Sequence, residues 1–326
     1  MDLSVIITAY DEGPLLRDAV ESVLAQNAPD RSELPDMEVL LVHDRGTHPE
    51  TAAAVDDIRH RHPGVRIVEN RHRRGVGGNR NTGIEAARGE WIAFLDGDDF
   101  WFAHAVHTRW SALRDHPDVG WLAADFVRAP DLEQAPPGAA FTRDNAHVRE
   151  LMGQPREAPG GPFDAGSPFR LARPVAEFCQ ASLCWTGTVM ARRDLVRAVG
   201  CFHEPLVRGQ DTHLWIRLAA ASDFLFVPVP LALYRTRPST LARRGTTLRA
   251  WDIVGTLDLL RRPLMRPWVR NLYHGRMVRM MNEQATYLRS QRRFLAAAGY
   301  AAASGVLWPA QKHAWRCLAG SLIRRT

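Results

Sequence analysis

The chain has 326 residues, of which 45% are hydrophobic and 24% charged, with a net charge of +6. This is the composition of a globular protein of one large or two modest domains, and it excludes a disordered or fibrous chain. No window reaches the roughly 18–20 uncharged apolar residues of a membrane span; the nearest, FLAAAGYAAASGVLW from Phe294 to Trp308, falls short.

The N-terminal run MDLSVIITAY has no basic leader and is cut off by Asp11 and Glu12, so it reads as a strand rather than a signal peptide, and a cytoplasmic protein is expected. Pro14 then opens a helical pattern over EGPLLRDAVESVLAQ. MEVLLVHD is a second strand, THPETAAAVDDIRHRH a second helix and VRIVEN a third strand. The Gly-rich turn RRGVGGNR leads to a short helix NRNTGIEAARG, and EWIAFL is a fourth strand. Near-continuous apolar strands separated by amphipathic helices predict a doubly wound, mostly parallel α/β sheet, Rossmann-like in plan.

From about 130 to 174 the chain is rich in Pro and Gly without a clear period, which predicts a long loop covering a site. CQASLCWTGTVMARRDLVRAVG reads as a strand and a helix, and a further helix begins just after Asp211. Residues 248–326 read as helical, a tail with Pro and Gly breaks. From Arg261 onward that tail carries thirteen Lys and Arg against one acid, Glu283. Such asymmetry suits a solvated helical surface, an anionic membrane face or an acidic substrate. Its aromatics, Trp268, Tyr273, Trp308 and Trp315, serve helix packing equally well, and no nucleic-acid recognition motif is present. Cys179, Cys184, Cys201 and Cys317 fit no CxxC pattern and are expected to be reduced thiols.

In doubly wound sheets ligands bind beyond the carboxyl ends of the strands. Thr8, Tyr10, Asp11 and Glu12 follow the first strand, Asp44 the second, and Asp96, Asp98 and Asp99 the fourth. The stretch FLDGDDFW therefore crowds three carboxylates. Like charges this close repel, and each is costly to bury unpaired, so the cluster predicts a cation or a shared proton. Capping of a following helix FWFAHAVHTRW would use some of these acids, but three exceed what a cap needs. GVGGNR lacks the GxxxxGK[ST] lysine and does not fit GxGxxG, which argues against a P-loop or dinucleotide fingerprint.

The succession SVIITAYDEGPLLRDAVESVLAQ, EVLLVHDRGT, GVGGNRNTGIEAARGEWIAFLDGDD, MARRDLVRAVGCFHE and GQDTHLWIRLA resembles the family 2 inverting glycosyltransferases, over roughly residues 3–235. The resemblance implies a GT-A fold in residues 1–247, with nucleotide-sugar binding in about 1–125, acceptor and base functions in about 175–247, and a basic helical extension at 248–326. It implies that Thr8 and Tyr10 lie against the nucleotide base, with Glu12 at the same strand end, and that Asp44 contacts the base. Arg80, Asn81 and Gly83 would stand near the ribose and diphosphate. Asp96 and Asp98 match the DxD motif, Asp98 and Asp99 would meet a divalent cation, Mn²⁺ or Mg²⁺, and Asp211 would be the catalytic base.

The chemistry accounts for these residue types. A nucleotide diphosphate leaves with growing negative charge, which a hard cation on carboxylates neutralises, and the acceptor needs a carboxylate to take its proton on the opposite face of the sugar. The resemblance implies transfer of one sugar, from a UDP-sugar by preference, to a hydroxyl on a glycan, lipid-linked, natural-product or peptide acceptor. A catalytically silent nucleotide-sugar or partner binder of the same fold is the alternative. No nucleic acid is implied, and the cationic tail would suit peripheral contact with the inner membrane face. Three departures stand out: His43 replaces the first of the paired acids after the second strand, Gln210 replaces the Glu of the ED motif, and Arg237 stands where the family often has a His. An arginine cannot ligate a metal but can hold a diphosphate directly.

Overall fold

LSVIITA is apolar at nearly every position because Leu3–Ala9 (β1) is buried along its whole length, with both faces of the sheet covered. It lies between Met37–His43 (β2) and Trp91–Asp96 (β4), parallel to both, and Val65–Glu69 (β3) extends the parallel set beyond β2. The computed structural model describes residues 1–44, 47–135, 138–144, 167–236, 255, 258–259, 267–307, 309–310 and 312–323. The chain forms two units, Met1–Glu204 with Leu214–Arg237 and Pro205–His213 with Pro238–Thr326.

In the first unit nine strands form one sheet in the order β3-β2-β1-β4-β8-β6-β9-β5, with β7 also pairing β9. The remaining strands are Phe100–Trp101 (β5), Trp121–Ala129 (β6), Phe169–Leu171 (β7), Met190–Arg192 (β8) and Phe224–Arg235 (β9). The parallel order β3-β2-β1-β4 is the half that the sequence predicts. The other half is mixed: β6 and β9 are parallel, but β8 runs antiparallel to both β4 and β6, and β5 and β7 run antiparallel to β9.

Odd positions of β1 (Leu3, Val5, Ile7, Ala9) pack with Leu16, Ala19, Val20 and Val23 of Leu15–Leu24 (α1) and with Ala54, Val55 and Ile58 of Pro49–Arg61 (α2). The helical spacing of these residues is what commits both segments to one face of the sheet. Val76–Ala86 (α3) covers the other face, where a Cβ at Gly83 would come within 2.4 Å of Ile6 Cγ2. Glycine is required there because helix and strand backbones approach too closely for any side chain.

α3 starts earlier than the sequence suggests. Gly77 and Gly78 lie inside its first turns rather than in a preceding loop, and residue 78 must be glycine because a Cβ there would meet the Arg73 carbonyl oxygen at 1.9 Å. FWFAHAVHTRW is also not one helix. Phe100 and Trp101 pair with Leu233 and Ala232, and the helix begins only at Ala105 (Ala105–Asp115, α4) with His104 at its cap. Neither Asp98 nor Asp99 is therefore the N-cap of that helix.

Short helices Phe141–Asp144 (α5), Val175–Gln180 (α6) and Arg193–Ala198 (α7) follow, and Gln210–Ala221 (α8) begins in the second unit and ends in the first. The middle of the Pro/Gly-rich stretch, 145–166, lies outside the described residues. Its start is anchored on the sheet: Phe141 stacks on Phe126 at 4.6 Å, and the Thr142 hydroxyl donates to the Asp125 carboxylate. The four cysteines are free thiols.

The second unit contains Pro267–Ser290 (α9), Phe294–Leu307 (α10) and Lys312–Ile323 (α11). Met277 and Met281 pack with Tyr300, Ala303 and Leu307, and Ala285, Ala301 and Cys317 form a second contact with Tyr300 and Leu318. The Ser304 hydroxyl, buried in α10, donates to Asn282 Oδ1 at 2.8 Å. No described helix is long and apolar enough to cross a membrane.

Candidate functional site

The parallel register brings the strand ends to one edge: Thr8 lies beside Asp96, Ala9 beside His43, and His43 beside Glu69. The strand order reverses between β1 and β4, so this is the crevice where doubly wound sheets bind ligands. Thr8 Oγ1 donates to Asp96 Oδ1 across it at 3.1 Å.

Asp96 is also paired with Arg80, whose Nη2 lies 2.6 Å from Asp96 Oδ1. Arg80 is 3% exposed and its guanidinium packs over the Phe202 ring at 5.2 Å, with Nε and Nη1 buried without hydrogen-bond partners among the described residues. Asp96 is thus neutralised from within the chain.

Asp99 makes no ion pair among the described residues, although the Arg235 charge acts on it. It is 1% exposed; Oδ1 accepts the Arg235 backbone N–H at 2.8 Å, while Oδ2 is buried without a hydrogen-bond partner among the described residues. Burial, then the charges of Asp98 and Asp96, push its carboxyl well above the ordinary range. A buried carboxylate oxygen facing two like charges favours a proton or a cation. Arg235, 8% exposed, fixes this turn: its guanidinium donates to the Asp98 carbonyl at 3.3 Å and to Asp18 Oδ2 on α1 at 3.0 Å. The sequence reading missed both Arg235 and Asp18; the arginine closing strand β9 was the available signal. Arg237 lies outside the described residues.

The donor set fits a hard divalent ion. Asp98 and Asp99 offer carboxylate oxygens, one of them orphaned, and such ions are commonly held by one or two carboxylates with substrate phosphates completing the shell. Among the described residues no group of three or more His, Cys, Asp or Glu side chains is placed to hold a metal ion by itself.

Asp44 is also buried, and both oxygens are occupied: Oδ1 accepts from Asn70 Nδ2 at 2.5 Å and Oδ2 from the Gly75 N–H at 2.9 Å. It thereby holds the 70–75 turn that leads into α3, and Thr82 Oγ1 adds a bond to Asn70 Oδ1 at 2.8 Å. Asn81 clasps the Phe202 backbone, donating to its carbonyl and accepting from its N–H, each at 2.9 Å, and donates to Glu204 as well. Tyr10 is 47% exposed, with the Arg74 guanidinium 6.0 Å from its ring centre, so a flat face is open to a stacking partner.

Glu12 turns back so that Oε2 accepts the Tyr10 N–H at 2.5 Å. Burial pushes its carboxyl up from 4.5 to about 7, against the opposing pull of backbone N–H groups, with Asp98 and Asp11 adding a smaller upward push. The folded state therefore keeps a proton that the unfolded chain releases between pH 4.5 and 7, so this group removes stability as pH rises through that window. We expect Glu12→Gln to abolish that part of the slope: its melting temperature should gain on the wild type as pH rises from 4.5 to 7, and parallel melting curves would refute it.

Asp211 lies in the first turn of α8, inside the helix rather than at its cap, and Oδ1 accepts the Thr212 N–H at 2.7 Å. Beside it Gln210 is 6% exposed, with Oε1 buried and no hydrogen-bond partner among the described residues.

The chain is similar to several known proteins. An uncharacterized protein of Mycobacterium tuberculosis is 29% identical over 251 residues, 76% of this chain and 71% of that one. The succinoglycan biosynthesis protein ExoO of Rhizobium meliloti is 40% identical over 100 residues, 30% of this chain, and that match spans only 26% of ExoO. Among solved structures, S. aureus TarS 1-349 with UDP-GlcNAc superposes with a TM-score of 0.62 at 15% identity, covering 92% of this chain and 81% of that one. The Pyrobaculum calidifontis mannosyltransferase PcManGT, in complex with GDP-Man and Mn²⁺, gives 0.58 at 18% identity, covering 99% and 80%. These likenesses establish a GT-A type α/β fold with a helical C-terminal region. Because the family model for glycosyl transferase family 2 matches residues 4–197, more than half of the chain, this protein belongs to that family.

Proposed function

We propose that the chain transfers one sugar from a nucleotide-sugar donor to an acceptor hydroxyl, by direct displacement with inversion. The observation that carries this reading is the Asp96–Asp98–Asp99 cluster at the switch point, in which Asp99 Oδ2 is buried without a hydrogen-bond partner among the described residues. The names of TarS, solved with UDP-GlcNAc, and of the mannosyltransferase, solved with GDP-Man and Mn²⁺, support a donor of this class and a divalent ion.

Each residue then has a task. Tyr10 offers its exposed face to the base, while Asp44 keeps the 70–75 turn in place beside it. Arg80 neutralises Asp96, and Asp98 and Asp99 would hold a divalent ion, which would offset the negative charge growing on the departing diphosphate. Asp211 takes the acceptor proton as the new glycosidic bond forms, so the acceptor oxygen attacks as its proton leaves and the anomeric centre inverts. A uridine nucleotide is the preferred donor, and the acceptor is a glycan, lipid-linked, natural-product or peptide hydroxyl.

Thermal shifts across UDP- and GDP-sugars, with and without Mn²⁺, test the reading. We expect one donor to raise the melting temperature only when Mn²⁺ is present, and that donor to be turned over when an acceptor is supplied. Stabilisation without turnover across acceptor panels would favour a binding protein of the same fold, and no stabilisation by any sugar nucleotide would overturn the proposal.

A further inference from the structure

The helical tail presents a surface for which glycosyl transfer has no use. α10 carries no charged residue along its 14 positions. One side of it, Ala297, Ala298, Ala301, Ser304 and Gly305, is buried. The other side is equally apolar: Leu295 and Val306 are 61% and 75% exposed, with Gly299 and Ala302 between them at the i, i+4, i+7, i+11 positions of a single line. That line is about 16 Å long.

α11 continues the surface. Trp315 (44% exposed), Ala319 and Leu322 (53% exposed) recur at i, i+4 and i+7, and the Trp315 ring lies so close to Gly305 that a Cβ there would meet it at 3.1 Å. Gly305 precedes Val306 in the chain, so the Trp315 ring packs on the end of α10 where that exposed line finishes. Exposed cations border them: Arg292 and Arg293 precede α10, and Lys312 and Arg316 stand on α11. From residue 261 to 326 the sequence contains a single acid, Glu283.

A helix apolar on all sides belongs in a protein core or in lipid. α10 has one side in neither. At 14 residues it extends about 21 Å, short of the ~30 Å hydrocarbon layer, so it suits lying along a bilayer rather than crossing it. A second copy of this face would set Arg292, Arg293, Lys312 and Arg316 against their own kind, whereas an anionic lipid surface complements them. We propose that the α10–α11 face docks on anionic phospholipid, with Leu295, Val306, Trp315 and Leu322 at the headgroup–acyl boundary and the four cations on lipid phosphates.

The test is co-sedimentation of the full chain with vesicles of phosphatidylcholine alone and of phosphatidylcholine mixed with phosphatidylglycerol. We expect pelleting only with the mixed vesicles, its loss at high salt, and a drop of about tenfold or more in the binding constant for both Leu295→Asp/Val306→Asp and Arg292→Glu/Arg293→Glu. All four side chains are exposed, so melting curves should match the wild type. Absence of wild-type binding, or binding that neither double variant weakens, overturns the proposal. So does a dimer in sedimentation equilibrium that Leu295→Asp/Val306→Asp dissociates while vesicles are ignored, since the face would then join two copies. Only vesicle binding is read, so the outcome is independent of whether the protein transfers sugar.

Discussion

Asp211→Asn is expected to lower glycosyl transfer by roughly 10²–10⁴-fold, the usual contribution of a positioned general base, while leaving nucleotide-sugar affinity within a factor of about two. The substitution keeps the side chain's shape and an oxygen that can still accept the Thr212 N–H, so the first turn of α8 should survive it. What it removes is the ability to take a proton. The neighbouring Gln210, uncharged where the family motif has a carboxylate, leaves Asp211 without a like charge beside it in sequence. Single-turnover kinetics with a saturating donor separates the chemical step from binding. A variant that turns over at the wild-type rate would remove Asp211 from the mechanism.

The second large effect has opposite signs on stability and on binding. Asp99 holds a buried carboxylate with one oxygen unsatisfied among the described residues and two acids close by, a state that burdens the empty fold. Asp99→Asn keeps an oxygen for the Arg235 N–H and cannot ionise, so it should stabilise the ion-free protein relative to the wild type as pH rises above the ordinary carboxylate range. The same change should weaken donor binding in Mn²⁺ by at least about tenfold and make it insensitive to chelation, since one carboxylate ligand is gone. Urea unfolding without metal and calorimetric titration with and without Mn²⁺ read the two halves separately. A variant that loses stability, or binds donor as tightly as the wild type in Mn²⁺, contradicts the assignment of Asp99 as a ligand.

The parallel half of the sheet was legible because its strands are buried on both faces and so carry unbroken apolar runs, while the intervening helices show clear periodicity. The mixed half was not. β8 has three residues and β5 only two, too short for any period to declare itself, and Phe100–Trp101 continued plausibly into the following helix. The acids at the strand ends were legible for a different reason: three carboxylates after a buried strand have no ordinary structural use. Their supports were hidden by distance along the chain. Asp18 and Arg235 are 217 positions apart, and Asn81 reaches a backbone 121 positions away. Only the fold brings such pairs together.

Asp44 has a practical consequence for anyone who would change the donor. With both carboxylate oxygens committed to Asn70 and Gly75, any replacement there releases the turn that starts α3, so selection for a new base at this position will mostly return collapsed pockets. Tyr10 is exposed, with the Arg74 guanidinium 6.0 Å from its ring centre. A library aimed at nucleotide preference should therefore vary Tyr10, His43 and Arg74 and keep Asp44, Asn70 and Gly75 constant, separating the tunable rim from the part that must be inherited whole.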